Sequence, residues 1–245
     1  AWAAARGLIR KPTGIPILTY HGTPAETSHL WWHDFRGQMS LLADLGYEVV
    51  TLAEVVDHVT RGTPRERPAV AITFDDGWRN ILDVGLPELA KRGWPATIFI
   101  PSSFLDRRPF ITRAELHEVA GMGFEIGNHT HTHPDVATIS AASLREEMGH
   151  CSDVLAQITG QRPRFFCYPF GRYDPVSRDV VAQFGFVGAC AGRYDFNRPG
   201  GDPFVLRRVL QEPGEGTKEL RARLAGGYAF LDLRQAHMDR MRRQP

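Results

Sequence analysis

The stretch Ala69-Val70-Ala71-Ile72-Thr73-Phe74-Asp75-Asp76-Gly77 decides how this chain is read. An apolar run rich in β-branched residues reads as a buried strand. It stops abruptly at two adjacent carboxylates and a glycine. In parallel α/β sheets, ligands bind where strands end at their carboxyl edge. Two acids side by side at such an edge repel each other unless something positive lies between them. Taken alone, the stretch is equally a strand running into a solvated Asp-Gly turn, so the residues around it carry the decision.

Outward from it, apolar runs and helical periodicities alternate. Strands are predicted over residues 15–20, 47–52, 95–100, 124–127, 165–168, 186–191 and 204–210. Helices are predicted over 34–45, 53–60, 79–92 despite Pro87, from a Thr112 cap to 120, from a Ser140 cap to about 159, 175–184 and 218–224. Phe35, Met39, Leu42 and Leu45 give the first helix its apolar stripe, and Thr112 with Glu115 makes a capping box. Strand and helix in turn, joined by short loops, make repeated βαβ units on a parallel sheet. Seven or eight such strands favour a closed or nearly closed barrel over an open sheet. Residues 1–14 read as an N-terminal leader, 15–225 as a single domain and 226–245 as a C-terminal helical tail.

Composition excludes some classes of function. The 245 residues are 42% hydrophobic and 23% charged, which suits one large domain with a substantial core. A formal net charge of +1 sets up no global field that would draw nucleic acid or a membrane. Arg240, Arg242 and Arg243 read as a solvated tail. Three cysteines, Cys151, Cys167 and Cys190, are too few and too odd in number for a disulfide framework. No apolar run approaches the roughly 20 residues that span a bilayer, and no signal peptide is visible.

Several strands end in reactive residues: His21, Asp75 with Asp76, the run His129-Thr130-His131-Thr132-His133, and the turn after Tyr168. A parallel barrel gathers such ends at one mouth. In the histidine run, positions 129, 131 and 133 share a face if the chain is extended. On a helical turn 129 and 133 share a face and 131 points away. The pair His129 and His133 converges under both geometries. Imidazoles suit zinc and similar metals, and a carboxylate completes three protein ligands with a position left for water.

Thr73-Phe74-Asp75-Asp76-Gly77 and His129-Thr-x-x-His133 resemble the first two motifs of the polysaccharide deacetylase family, the nodulation-type deacetylase homology domain. Phe166-Cys167-Tyr168-Pro169-Phe170-Gly171 resembles the third. The resemblance runs from about residue 15 to 210. It implies a distorted (β/α) barrel of about seven parallel strands, one divalent metal ion, and deacetylation of N- or O-acetylated sugars. Carried over residue by residue, it makes Asp76, His129 and His133 the metal ligands and Asp75 the catalytic base. Water activated by the metal would attack the acetyl carbonyl. The Tyr168 amide would hold the oxyanion, with Pro169 beside it at the substrate. Zinc is the metal expected, with cobalt, nickel and iron as alternatives. The implied partner is an acetylated glycan, and the implied location is the cell envelope, the periplasm or the exterior.

The chain departs from the family pattern in two places. Cys167 stands where the family often has an arginine that orients the base, and reads as a core residue. Arg207 or Arg208, on the last predicted strand, is the expected substitute, and Arg208 is placed at the substrate site. The family's late Leu-x-His acid is also missing, since His237 lies in a surface-type helix. Instead Ile17-Leu18-Thr19-Tyr20-His21 is an apolar strand ending in histidine at the front of the chain. This resembles the permuted branch that includes biofilm poly-N-acetylglucosamine deacetylases. It makes His21 the catalytic acid, standing across the metal from Asp75, with Asp195 or Asp202 as its carboxylate partner. Trp31 and Trp32 are candidates for stacking on sugar rings or for packing against the first helix. Two other functions stay open at this level: hydrolysis of another carbon–nitrogen amide, such as a cyclic imide or ureide, and an inactive glycan-binding module. Retention of both Asp75 and Asp76 argues against the module, because binding needs no free base.

Overall fold

The computed structural model describes residues 14–22, 28–192 and 194–226, and side chains from residue 34 onward within the first helix. The leader, His237, the arginine tail and the side chains of Trp31 and Trp32 lie outside the described residues.

Among the described residues, eight strands form one parallel sheet. They are β1 (Ile17–His21), β2 (Glu48–Val50), β3 (Ala69–Asp75), β4 (Thr97–Ile100), β5 (Glu125–Asn128), β6 (Phe165–Cys167), β7 (Gly188–Cys190) and β8 (Val209–Leu210). The order is β7-β6-β5-β4-β3-β1-β8, with β2 alongside the start of β3. The segment after β7 joins the two edges. Leu206 exchanges hydrogen bonds of 2.8 Å with Ala189 and Ala191, while Val209 and Leu210 pair with Leu18 and Thr19 of β1. The sheet thus curls into an uneven α/β barrel, as expected from the alternating pattern.

Seven helices among the described residues cover it: α1 (Ser28–Asp44), α2 (Leu52–Arg61), α3 (Gly85–Ala90), α4 (Arg113–Gly121), α5 (Ala141–Thr159), α6 (Pro175–Gln183) and α7 (Thr217–Leu224). The caps are local and legible. Thr51 with Glu54 and Thr112 with Glu115 form reciprocal capping boxes, and Ser140 caps α5.

Two expectations fail for physical reasons. The predicted helix over 79–92 splits into a 3₁₀ turn (Arg79–Leu82) and α3. Pro87 falls in the first turn of α3, where its missing N–H breaks no helical bond. The predicted strand over 204–210 survives only as Leu206 and β8. Between them the Asn197 side chain takes both the N–H and the carbonyl of Arg207, at 2.8 and 2.9 Å, and so draws that residue off the ladder.

Alternation along the strands decides which residues face the barrel axis. Leu18, Tyr20, Ile72 and Phe74 pack outward with Phe35, Met39 and Leu42 of α1. Ile17 and Ala71 pack inward with Phe99, Phe165 and Leu206. Thr19 and Thr73 share a hydrogen bond of 3.0 Å one step further along the same inner face. The next inward positions are His21 and Asp75, which are register partners. Period-two geometry alone therefore aims the first acid of the pair into the mouth of the barrel.

Candidate active site

At the end of β3 the chain turns sharply, with Asp76 and Gly77 both at φ 68°. Aspartate and glycine tolerate this left-handed conformation. The turn carries Asp76 across the mouth, where the Trp78 indole N–H donates to its Oδ2 at 3.4 Å.

The histidine loop is neither extended nor helical. Thr130 and His133 have φ of 65° and 63°, and the Thr130 hydroxyl accepts the His133 N–H at 3.0 Å. Asn128 anchors the loop start: its Oδ1 accepts the Thr130 N–H, and its Nδ2 donates to Met148 O and Ser152 Oγ on α5. The fold-back brings His133 Nε2 to 3.2 Å from His129 Nε2. Asp76 Oδ1 lies 3.5 Å from the first nitrogen and 3.4 Å from the second. His131 is turned away, with Nδ1 on Ser102 Oγ at 2.7 Å and its ring against His150.

This donor set suits a metal ion. Ligand atoms held tetrahedrally at about 2.0–2.1 Å from an ion lie about 3.3–3.4 Å apart, close to the three separations found. The His129 Nδ1–H donates to Cys167 O at 2.7 Å, which leaves the Nε2 lone pair facing the site. Burial, with His129 alongside, pulls His133 down to about 4, so its imidazole stays neutral. Burial pushes Asp76 up, but the histidines around it, His129 foremost, outweigh that and hold it well below the usual carboxylate range.

Asp75 is a different kind of acid. It is 2% exposed, and its Oδ1 accepts from Arg208 Nη1 at 2.8 Å. Arg208 is itself 6% exposed and is steadied by donating Nε–H to Ala191 O. Burial raises Asp75, yet the Arg208 guanidinium and then His21 more than offset this and hold it below its ordinary value. The Cys167 thiol stands 3.7 Å from Oδ2. Burial pushes that thiol up, so it stays protonated beside the carboxylate. Arg207 points elsewhere, to Asp195 at 2.7 Å.

Several expectations about the surroundings need correction. His21 does not stand across from Asp75; its Nε2 lies 3.6 Å from Asp75 Oδ2 because the two are register partners. Asp195 is bound to Arg198 and Arg207, and Asp202 to Arg178, so Asp75 is the carboxylate beside His21. Tyr168 and Pro169 are buried and are not on the cavity wall. The Tyr168 amide donates to Cys190 O at 3.0 Å, and its hydroxyl to Phe204 O. Phe170, which the sequence reading passed over, takes that place. At φ 58° and 64% exposed, it packs its ring 4.7 Å from His133, and its amide lies past the end of the β6–β7 ladder. The turn works because Gly171 lies against Gly192; a Cβ there would come within 2.3 Å of the Gly192 Cα.

The resulting cavity is about 280 Å³, walled by the two acids, His21, His129, His133 and Arg208, with Phe170 and Tyr194 at the rim. Tyr194 also escaped the sequence reading, since nothing in its neighbourhood has a motif. A larger hollow of about 740 Å³ lies among Tyr47, Arg65, Arg67 and Trp94 at the opposite end of the strands. It contains none of these groups, so the chemistry belongs to the smaller cavity.

The structure is thus a parallel α/β barrel whose mouth sets an Asp-His-His group able to hold a metal ion beside a second, arginine-bound carboxylate. The model of the polysaccharide deacetylase family matches residues 62–189, just over half of the chain, and the chain belongs to that family. Bacillus subtilis YxkH, named as a polysaccharide deacetylase, is 28% identical over 206 residues, covering 83% of this chain and 74% of its own. The peptidoglycan-N-acetylmuramic acid deacetylase PdaA of B. subtilis is 28% identical over 131 residues, which are 51% of this chain and 46% of PdaA. Two solved structures share the fold. The Streptococcus pyogenes deacetylase PplD has a TM-score of 0.79 at 22% identity, covering 87% of this chain and 99% of that one. IcaB from Ammonifex degensii has a TM-score of 0.79 at 24% identity, covering 88% and 98%. No helix among the described residues is long and apolar enough to cross a membrane.

Proposed function

We propose that this chain removes acetyl groups from an N-acetylated glycan, with one divalent ion held by Asp76, His129 and His133. The observation that carries this reading is the tetrahedral spacing of three donor atoms beside a fourth group, Asp75, that is ionised and bound to Arg208. Zinc is the first choice for two imidazoles and a carboxylate, with cobalt, nickel and iron also suited to such donors. The ion supplies Lewis acidity and a nearby water of lowered pKa.

The protein's own groups do the rest. Asp75 takes the proton from the attacking water, and Arg208 keeps its carboxylate charged and correctly turned. The Phe170 N–H, at the cavity wall, donates to the oxygen that gains charge as the carbonyl becomes tetrahedral. His21 delivers a proton to the departing amine, which cannot leave as an amide ion. Names such as PdaA's support an envelope or exported glycan as substrate and a location in the cell envelope or outside the cell. Metal analysis combined with acetate release from chitooligosaccharides and peptidoglycan tests the whole reading. A chain that binds a stoichiometric ion yet frees no acetate from either is a binding module instead.

His21→Ala is expected to keep its metal and lose most amide hydrolysis. It should suffer much less with an activated acetyl ester, whose leaving group needs no proton. Equal losses on the two substrates would remove His21 from the acid role.

Arg208→Gln is expected to move the acidic limb of the pH–rate profile upward. Without the guanidinium the buried Asp75 carboxylate is harder to ionise, so a higher pH is needed to generate the base. Opening a buried ion pair also costs about 3–5 kcal/mol, so the profile is read at a temperature where the variant is folded. An unshifted limb would show that Arg208 does not control the base.

A further inference from the structure

The two ligand histidines are joined by a bent segment, and a carboxylate outside that segment gathers the N–H groups of its middle. The Glu147 carboxylate, on α5, accepts from the His131 N–H, the Thr132 N–H and the Thr132 hydroxyl, each at 2.7 Å. All three donors lie between His129 and His133. Thr130 and His133 are left-handed there, a backbone state that persists in non-glycine residues only when the surroundings enforce it. Asn128 enforces the start of the segment through the Thr130 N–H. In the middle, the Ser103 N–H donates to His131 O at 3.0 Å and Ser102 holds the His131 ring, while Glu147 takes the segment's own N–H donors through bonds to a carboxylate, which are the strong kind. The carboxylate rides on a fixed element, because Leu144 and Met148 on either side of it are buried in the core. Glu147 reaches neither imidazole ring and acts through the backbone.

We propose that Glu147 is a positioning residue for the metal site: its carboxylate holds residues 129–133 in the shape that sets the two Nε2 atoms against Asp76. This rests on the reading of Asp76, His129 and His133 as metal ligands. Groups outside the ligand set that orient the ligands typically change metal affinity by 10–100-fold.

The test is zinc affinity by chelator competition on the metal-stripped chain, with thermal stability of the metal-free protein measured in parallel. Glu147→Ala should bind zinc roughly 10–100-fold more weakly than the parent, with metal-free stability little changed. Glu147→Gln keeps an acceptor oxygen for the two N–H groups and should recover most of the affinity. At saturating zinc, kcat for acetate release by Glu147→Ala should return toward the parent value. Parental affinity in Glu147→Ala overturns the proposal. So does an equal affinity loss in Gln and Ala with a matching loss of metal-free stability, which would make the residue a general fold support. Should Glu147→Ala fail to fold, Thr132→Val removes one of the three donors and should weaken zinc several-fold; unchanged affinity there overturns the proposal too. A parent chain that binds no zinc, cobalt or nickel refutes the underlying metal reading, an outcome distinct from parental affinity in the variant.

Discussion

His129→Ala is expected to bind no divalent ion at micromolar concentration and to release acetate no faster than the metal-stripped parent. The loss should exceed the roughly 10–100-fold of a change outside the ligand set, because a ligand itself is removed. His129 is one corner of a near-equilateral triangle: its Nε2 lies 3.5 Å from Asp76 Oδ1 and 3.2 Å from His133 Nε2. Its other nitrogen is tied to Cys167 O, which fixes Nε2 toward the site, and the neighbouring His131 ring is held away by Ser102. His131→Ala is the control. That ring faces Ser102 and His150, while its backbone N–H, which the substitution keeps, is the part that Glu147 holds. It should retain the metal within a few-fold. Metal content measured on both purified variants decides the matter, and the reverse pattern would show that the ligand pair is His131 with one neighbour.

Why some of this was legible in sequence and some was not follows from the range of each interaction. Strand β3, the caps Thr112 and Ser140, and the convergence of strand ends depend on local periodicity and on the handed geometry of βαβ units. A single sequence displays both. The convergence of His129 and His133 was legible for a similar reason, because the two meet under either backbone shape considered, although the loop adopts neither. Asp75 and Arg208, in contrast, are 133 residues apart. Cys167 signalled that an arginine had to come from elsewhere, but choosing between Arg207 and Arg208 needs the Asn197 contact that turns one outward and leaves the other inside. The misplacement of His21 had a geometric cause. Adjacent parallel strands set register partners side by side, so His21 at the end of β1 must neighbour Asp75 at the end of β3. The Tyr168 amide was carried over from the family pattern, and only the β6–β7 ladder reveals that Cys190 O already accepts from it.

Asp75→Asn is expected to keep the metal and to lose about 10²–10⁴-fold in turnover, the usual cost of deleting a general base, or about 2.7–5.4 kcal/mol of barrier. Asparagine has nearly the shape of aspartate, and its carbonyl oxygen can still accept from Arg208, so the cavity need not collapse. What disappears is the carboxylate's negative charge, and with it the basicity that takes a proton. The pH behaviour follows from the sign of the shift. The carboxylate of Asp75 lies below its ordinary value in the folded chain, so the stability contributed by its pair with Arg208 is present at and above the unfolded aspartate value, about 3.9. It is lost only as pH falls through the lower folded value. The parent should therefore gain stability over the variant as pH rises through that acidic window, with a constant difference at neutral pH. Asp76→Asn is the paired measurement, since it removes charge from the donor set and should cost the metal itself. Metal content, turnover at saturating metal, and melting temperature from pH 3 to 7 on both variants separate the roles. Equal metal loss in the two would mean that both carboxylates serve the ion and that the base is another group.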